Sequence, residues 1–322
     1  MGLRLGLLST AHINEKLAAG ARLVDEVDVV AVASRSASRS AEQAAALGIE
    51  RALGSYEELL ADPDVDAVYI SLPNSMHVDW SIRALQAGKH VLCEKPLARD
   101  VEPVERAFDA ADAAGRVLAE AFMWRHHPQA LRLVELLPRV GSLRVVRVQF
   151  SFALDSLEPA SNIRLSAELE GGALMDVGCY CVSAARLVAG DPLEVTGQQV
   201  TGEVDVRFTA TMSLPGGVLA HFDCGVDTTD RAELEVVGSE GRLLLRDPFH
   251  AGEPVIEVHD AAGAVERVEA GGDNPYAYEL RDFAAAVAGE HEPLLGRADA
   301  VGQARAIAAL YRSAATGARV KL

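Results

Sequence analysis

The chain is expected to fold as a doubly wound parallel α/β domain followed by an α+β domain with a large, mostly antiparallel open sheet. Three observations predict this. Over residues 1–122, short apolar runs alternate with Ala-rich helical stretches, the pattern of βα crossover units. From Leu143 the pattern changes to apolar/polar alternation broken by turn signals, as in antiparallel strands with one buried face. At 322 residues the chain is also long enough for two domains with full cores. The domains are placed at 1–122 and 123–322.

Leu3 to Leu8, apolar apart from Arg4, reads as the first strand, and an Ala-rich helical stretch runs to about Leu23. Between them lies Ser9-Thr10-Ala11-His12-Ile13-Asn14. In a dinucleotide-binding chain this turn carries Gly-x-Gly-x-x-Gly. In register, Ser9, Ala11 and Asn14 take the three glycine places. Each is small or a turn former and none is glycine, so the motif fails while its context holds. A strand, a tight turn of small residues and a helix N-terminus able to hold a diphosphate follow one another.

Val27 to Ala33 is the second strand, ending at Ser34-Arg35-Ser36 with Arg39 just beyond. A site for NAD usually places Asp or Glu here to hold the ribose hydroxyls, but no acidic residue occurs between Ser34 and Ala41. Guanidinium and hydroxyl donors suit a 2′-phosphate instead. The plainer reading makes Arg35 and Arg39 surface charges at a helix start. A helix from Ser38 to Ala46 follows, then a short strand at Arg51 to Leu53. Ser55-Tyr56-Glu57-Glu58 has capping-box spacing.

Ala67 to Ile70 is the fourth strand, leading through Ser71-Leu72-Pro73-Asn74 to a helix from His77 to Gln86. Asn74 and His77 are candidate caps for that helix. His90 to Cys93, after a glycine turn, is the fifth strand, with Glu94, Lys95 and Pro96 at its carboxyl end. Open parallel sheets bind ligands outside that end. Pro96 stops the strand and is a candidate cis proline. Spacing alone leaves Glu94 and Lys95 with two readings, charged groups aimed at a cleft or residues solvated in a loop. A helix at Asp100 to Ala114 and a strand at Val117 to Ala119 complete the first domain.

Phe122 to Pro128, Phe-Met-Trp-Arg-His-His-Pro, crosses into the second domain with aromatic and basic groups suited to a sugar-sized cleft. His126 and His127 are adjacent and point apart on an extended segment. With no partner carboxylate specified, no metal site is expected. Arg144 to Leu154, Val204 to Leu214 and Val218 to Val226 alternate, the last two joined by the hairpin turn Leu214-Pro215-Gly216-Gly217-Val218. Ala232 to Val237, Arg242 to Leu245 and Val255 to Val258 continue the sheet. Asn274-Pro275 opens a helix with a cap residue and Pro at the first position. Ala298 to Ala315 is a final amphipathic helix.

A net charge of −17 argues against a general nucleic-acid or anionic-membrane binder. No apolar run approaches spanning length. The first strand begins almost at once, so no signal peptide is read. The four cysteines, 93, 179, 181 and 224, match neither a zinc knuckle nor a redox pair and read as reduced small hydrophobes of a cytoplasmic protein.

Gly88 to Pro96, Leu72-Pro73-Asn74 followed by His77, and Gly171-Gly172 followed by Asp176 and Tyr180 together resemble the glucose–fructose oxidoreductase, inositol dehydrogenase and rhizopine catabolism (Gfo/Idh/MocA) family. Its members are mostly nicotinamide-dependent oxidoreductases of sugars, polyols and related compounds. The likeness runs in order over nearly the whole chain, nearest the dihydrodiol and D-xylose dehydrogenase branch. It implies a Rossmann first domain binding NADP, or NAD, through Ser9, Thr10, Ala11, His12, Ile13, Ser34, Arg35, Arg39, Ser71, Leu72, Pro73, Asn74, His77, Glu94, Lys95, Pro96 and Arg125. It also implies a homodimer or homotetramer formed through the second domain's sheet. Substrate contacts are assigned to Lys95, Trp124, Arg164, Asp176 and Tyr180.

Asp176 and Tyr180, four apart, share one face of a helix. On the residues alone they read as a cap and a core tyrosine; the resemblance makes them, with Lys95, the catalytic set. Oxidising an alcohol needs a hydride acceptor and a base. A tyrosine with pKa near ~10 is a poor base at neutral pH. A lysine cation about 4 Å away contributes roughly 4 kcal/mol at an effective dielectric of ~20, enough to lower the phenol's pKa by up to about three units before desolvation opposes it. Whether Tyr180 or Asp176 moves the proton stays open. The expected activity is hydride transfer at a sugar, polyol or diol CH–OH carbon. A redox glycosidase and a non-catalytic cofactor-bound sensor are the alternatives.

Overall fold

The computed structural model describes residues 2–158 and 162–322. The chain divides into two compact units. The first contains β1 (Leu3–Leu8), α1 (Ile13–Ala21), β2 (Val27–Ala33), α2 (Ala37–Leu47), β3 (Arg51–Leu53), α3 (Tyr56–Ala61), β4 (Ala67–Ile70), α4 (His77–Gln86), β5 (His90–Glu94), α5 (Val101–Ala114), β6 (Leu118–Ala121) and α6 (Met123–His126). Its six strands run parallel in the order β3-β2-β1-β4-β5-β6. Buried on both faces, β4 reads as a continuous apolar run, Ala-Val-Tyr-Ile, with every residue buried. A side-chain cap fixes the start of α3. Ser55 Oγ accepts from Glu58 N at 3.1 Å, while the Glu58 carboxylate reaches Gly54 N at 2.9 Å, one residue before the usual capping-box partner.

The second unit contains α7 (Pro128–Leu136), β7 (Leu143–Ala153), α8 (Cys179–Ala189), β8 (Glu194–Thr201), β9 (Asp205–Ser213), β10 (Leu219–Gly225), β11 (Asp227–Gly238), β12 (Gly241–Leu245), β13 (Val255–Asp260) and β14 (Val265–Glu269). α9 (Pro275–Val287) belongs to the first unit, α10 (Arg297–Thr316) contributes to both, and β15 (Val320–Lys321) ends the chain in the second. The nine-stranded sheet has the order β14-β13-β12-β11-β7-β10-β9-β8-β15. All its pairs are antiparallel except β7 with β10. The expected hairpin is present: Gly216 and Gly217 adopt φ 71° and 76°, and Leu214 N donates to Val218 O at 2.8 Å.

The compact units divide the chain differently in detail: the first takes in the residues to His126 and the segment Asp273–Val301. The reason is the seat of α9 on α1: a Cβ at Gly20 would meet Tyr276 Cβ at 2.7 Å, so glycine is what allows the two helices to approach. Asn274 Oδ1 caps α9 by accepting from Tyr276 N at 2.9 Å, with Pro275 at the first position.

Candidate active site

In the first unit, the strand order reverses between β1 and β4, the place where doubly wound sheets take their ligands. Leu8 pairs with Ile70 and Ile70 with Cys93. The turns that start at Ser9, Ser71 and Glu94 therefore leave the sheet side by side at its carboxyl edge. Ser9, in the first glycine place, has φ 151°. Its hydroxyl lies 2.7 Å from Ser71 Oγ and 3.0 Å from Ser71 O, and accepts from Ala11 N at 3.1 Å. Asn14, fully buried in the third glycine place, donates to Ser9 O at 2.8 Å and accepts from Ser71 Oγ at 2.7 Å. Side-chain hydrogen bonds thus close the turn that glycines usually close. Thr10, Ala11 and Ile13 are half-buried around it, and His12 is exposed. In the first turn of α1, Asn14 N donates to Ala11 O at 3.2 Å and Glu15 N to His12 O at 3.1 Å, so the N–H groups of His12 and Ile13 are the ones suited to a diphosphate.

Beyond β2, Ser34 is buried and its Oγ accepts from Ser36 N at 3.3 Å. Ser36 is the N-cap residue of α2, but its side chain makes no capping bond; its hydroxyl lies 2.9 Å from Ser38 Oγ. Arg35 and Arg39 are exposed and make no ion pair with a carboxylate among the described residues. Leu72 and Pro73 lead to a 3-10 turn at Asn74–Met76, and Met76 is the N-cap of α4. His77 is 1% exposed; one ring nitrogen lies 2.8 Å from Leu72 O and the other 2.9 Å from Pro96 O. It ties the loop after β4 to the turn after β5. Burial pushes the ring's pKa down, against the two carbonyls, which favour the charged form.

Lys95 is half-buried, and the Lys95–Pro96 bond is cis. Glu94 accepts from Tyr69 OH through Oε1 and from Lys95 N at 3.3 Å through Oε2. Past the turn, Leu97 N donates to Glu120 Oε1 at 2.8 Å. Trp124 is buried, with the Arg125 guanidinium 5.8 Å from its ring centroid and 3.5 Å from Asp299 Oδ1. The two histidines serve packing: His126 Nδ1 lies 3.6 Å from Asp282, with its pKa pushed down to about 3 by burial and then by Arg125, while His127 Nδ1 accepts from Gln129 N at 3.1 Å to cap α7.

In the second unit, Gly171 and Gly172 are dictated by space. A Cβ at Gly171 would strike the Arg164 carbonyl oxygen, and one at Gly172, where φ is 121°, would strike Asp205 Oδ1. Gly172 N donates to Arg164 O at 2.8 Å. Buried Asp205 accepts from Leu174 N at 2.7 Å and Tyr311 OH at 2.8 Å, anchoring the helix that follows. That helix does not open as a regular α-helix. Leu174–Gly178 is a π-helical turn leading into α8, a feature found often at functional sites. Asp176 lies in this turn, paired with Arg164 Nε at 2.8 Å. Tyr180 is buried edge-on to Phe150 and to Phe249, with ring centroids 5.2 Å from each. The structure therefore brings Arg164 to Asp176 and sets Tyr180 in an aromatic wall.

Tyr69, Glu120 and Asp205 were not singled out by the sequence. A carboxylate inside an otherwise apolar run, as in Leu118-Ala-Glu-Ala and Val204-Asp-Val, is the signal that finds two of them, because a buried carboxylate needs partners.

A doubly wound sheet with a tight turn and helix N-terminus at its switch point, followed by an open-sheet domain, is the architecture of a two-domain dinucleotide-binding protein. A family model described as "Oxidoreductase family, NAD-binding Rossmann fold" matches residues 4–122, and one described as "GFO/IDH/MocA C-terminal domain" matches residues 138–244. The chain belongs to the Gfo/Idh/MocA family and is an NAD(P)-dependent oxidoreductase. It is 39% identical over 325 residues to "D-xylose 1-dehydrogenase (NADP(+)) 2" of Haloferax volcanii, covering 98% of this chain and 99% of that protein. It is 34% identical over 256 residues to trans-1,2-dihydrobenzene-1,2-diol dehydrogenase of Bos taurus, covering 77% and 75%. The crystal structure of KijD10, a 3-ketoreductase of Actinomadura kijaniata in complex with NADP and TDP-benzene, superposes with a TM-score of 0.90 at 32% identity, covering 97% and 98%. No described helix is long and apolar enough to cross a membrane.

Proposed function

We propose that the chain transfers hydride between NADP and a CH–OH carbon of a sugar, polyol or diol. The observation that carries this reading is the Glu94-Lys95-Pro96 turn at the carboxyl end of β5, next but one to β1 across the switch point. It puts a half-buried lysine on a rigid strand end beside the cofactor turn. The NADP preference rests on exposed Arg35 and Arg39 with no acidic neighbour after β2. Nicotinamide, when bound, supplies the hydride acceptor or donor. The chain's own residues handle the proton and the substrate. Lys95 supplies the positive charge, Tyr180 exchanges the hydroxyl proton, and Asp176, held by Arg164, accepts a substrate hydroxyl. Ser9 to Ile13, Ser71 to Asn74, Glu94 to Pro96 and Arg125 are assigned to the cofactor, Trp124 and Arg164 to the substrate. The chain's relatives, a D-xylose and a dihydrodiol dehydrogenase among them, support the substrate class.

The test is a set of variants assayed with NADP on aldoses, inositols and diols. Lys95→Ala should abolish turnover while NADPH still binds. Tyr180→Phe keeps both ring contacts and should lower the rate by about 10²–10⁴-fold, the usual worth of general acid–base catalysis. If Asp176→Asn is inactive and Tyr180→Phe is not, the carboxylate moves the proton. Activity retained in all three variants would refute the site.

The proposed assembly is a homodimer or homotetramer formed through the open face of the nine-stranded sheet. That face carries charge, with Glu235 accepting from Arg147 and Arg242 at 2.7 Å each, so it does not require an apolar cover; family membership is the support. A monomeric mass at micromolar concentration would overturn it. Four buried cysteines, none of them in a disulfide, support a reducing, cytoplasmic setting.

A further inference from the structure

The turn after β1 works without glycine, and one member of the network that shapes it comes from outside the turn. Gln43, half-buried on α2, accepts from Asn14 Nδ2 at 2.9 Å and donates from Nε2 to Ala11 O at 3.2 Å. One side chain therefore grips both the residue in the third glycine place and the backbone of the residue in the second. Ala11 O also accepts from Asn14 N at 3.2 Å, so this carbonyl is held from two sides.

The peptide between Ala11 and His12 is a rigid plane. In a trans peptide the carbonyl and the following N–H point in opposite directions. Whatever fixes the Ala11 carbonyl therefore fixes the aim of the His12 N–H. That N–H stands at the N-cap of α1, among the donors the helix itself leaves without an acceptor. In a glycine-rich turn the backbone takes this aim by conformational freedom and close approach. Here Ser9 and Ala11 carry side chains, and Ser9 sits at φ 151°, so the conformation has to be held from outside.

We propose that Gln43 is a positioning residue for the cofactor diphosphate, acting through the Ala11–His12 peptide in place of the missing glycines. The proposal rests on the reading of this turn as the diphosphate site. Gln43 acts through the turn, so its loss should weaken only ligands that carry a diphosphate.

The test compares two ligands on the full-length protein. NADPH has the diphosphate; 2′-AMP has the adenosine and the 2′-phosphate but ends before it. Gln43→Ala, and Gln43→Met as a volume control without donor or acceptor, should bind NADPH about 3–10-fold more weakly, the worth of one net hydrogen bond. Both should bind 2′-AMP as the wild type does. Fluorescence of NADPH and calorimetric titration of 2′-AMP give the two constants, and thermal unfolding shows that the variants are folded. Unchanged NADPH affinity in both variants overturns the proposal. Equal weakening of both ligands also overturns it, since it would report a general disturbance of α1 and α2. A wild type that binds 2′-AMP but not NADPH would sink the reading of the turn itself, and the role of Gln43 with it.

Discussion

Glu279 should make the protein less stable as pH rises, and Glu279→Gln should remove that loss. The residue lies on α9, 1% exposed, and neither carboxylate oxygen has a hydrogen-bond partner among the described residues. Burial, followed by the charges of Glu94 and Asp282, holds its pKa well above the usual 4.5. The unfolded chain releases this proton near the ordinary value, and the folded chain keeps it to higher pH. Between those two points the folded state binds one more proton than the unfolded state, so stability falls as pH rises. Its contribution is complete below pH ~4.5 and declines by about 1.4 kcal/mol per unit above it, for as long as the folded protein stays protonated.

Glutamine matches the shape of the protonated acid and cannot ionise. The stability of Glu279→Gln relative to wild type should therefore rise with pH, by up to about 3 kcal/mol between pH 5 and pH 7. At about 2–4 °C per kcal/mol for chains somewhat shorter than this one, that is a shift of several degrees in thermal unfolding. Each protein is melted at pH 5, 6 and 7, and the difference in Tm is plotted against pH. A difference that is the same at all three values would refute the reasoning, whatever its sign, because only a differential proton can give it a slope. The site matters beyond stability. Tyr69 donates to Glu94, and burial and the Glu94 charge hold the Tyr69 phenol well above its usual pKa. Glu94 already opposes ionisation of Glu279, so a charge appearing at Glu279 would repel the carboxylate under the Glu-Lys-Pro turn.

Arg35→Asp should weaken NADP binding far more than NAD binding, read by titrating both cofactors; equal wild-type affinity for the two would remove the argument. Gly172→Ala places a Cβ against Asp205 Oδ1 at φ 121° and should cost about 2–4 kcal/mol, seen as a fall in Tm, whereas Gly48→Ala, with no neighbour but the same kind of φ, should cost less. His77→Leu removes the single N–H that the neutral ring can donate to one of the Leu72 and Pro96 carbonyls and should cost about 1–3 kcal/mol at pH 7. Because burial depresses the His77 pKa, the wild type's stability is present above pH ~6.5 and lost as pH falls, so the deficit of the variant should shrink at pH 5.

The parallel sheet was legible because buried strands are apolar runs bounded by turn residues. Leu3–Leu8, Val27–Ala33 and Ala67–Ile70 stand where the sequence put them, and so does Arg51–Leu53, although no residue of it is buried. The second sheet was legible only where one face is buried. Glu194–Thr201 was missed because Val195 and Gly197 are its only fully buried residues, and Val265–Glu269 because it has none. Nothing local shows that β7 and β10 run parallel, or that α9 packs on α1, since both depend on residues far apart in the chain. The π-helical turn at Leu174–Gly178 was likewise invisible: residue spacing places Asp176 and Tyr180 on one face in either helix type.

The turn after β1 and the Gly171-Gly172 turn meet the problem of close approach in opposite ways. At Gly171 and Gly172 the neighbours are an Arg164 carbonyl and the Asp205 carboxylate, each already hydrogen-bonded to the turn. They cannot withdraw without breaking those bonds, so the side chain must be absent, and the glycines are readable in the sequence. At Ser9 the neighbours are hydroxyl, amide and carbonyl groups that a small polar side chain can join. There the residue is held by hydrogen bonds rather than admitted by empty space, and a search for glycines finds nothing. A fingerprint written in residue names fails at such a turn. One written in what must be held, a helix N-terminus aimed past a tight turn at the switch point of the sheet, still finds it.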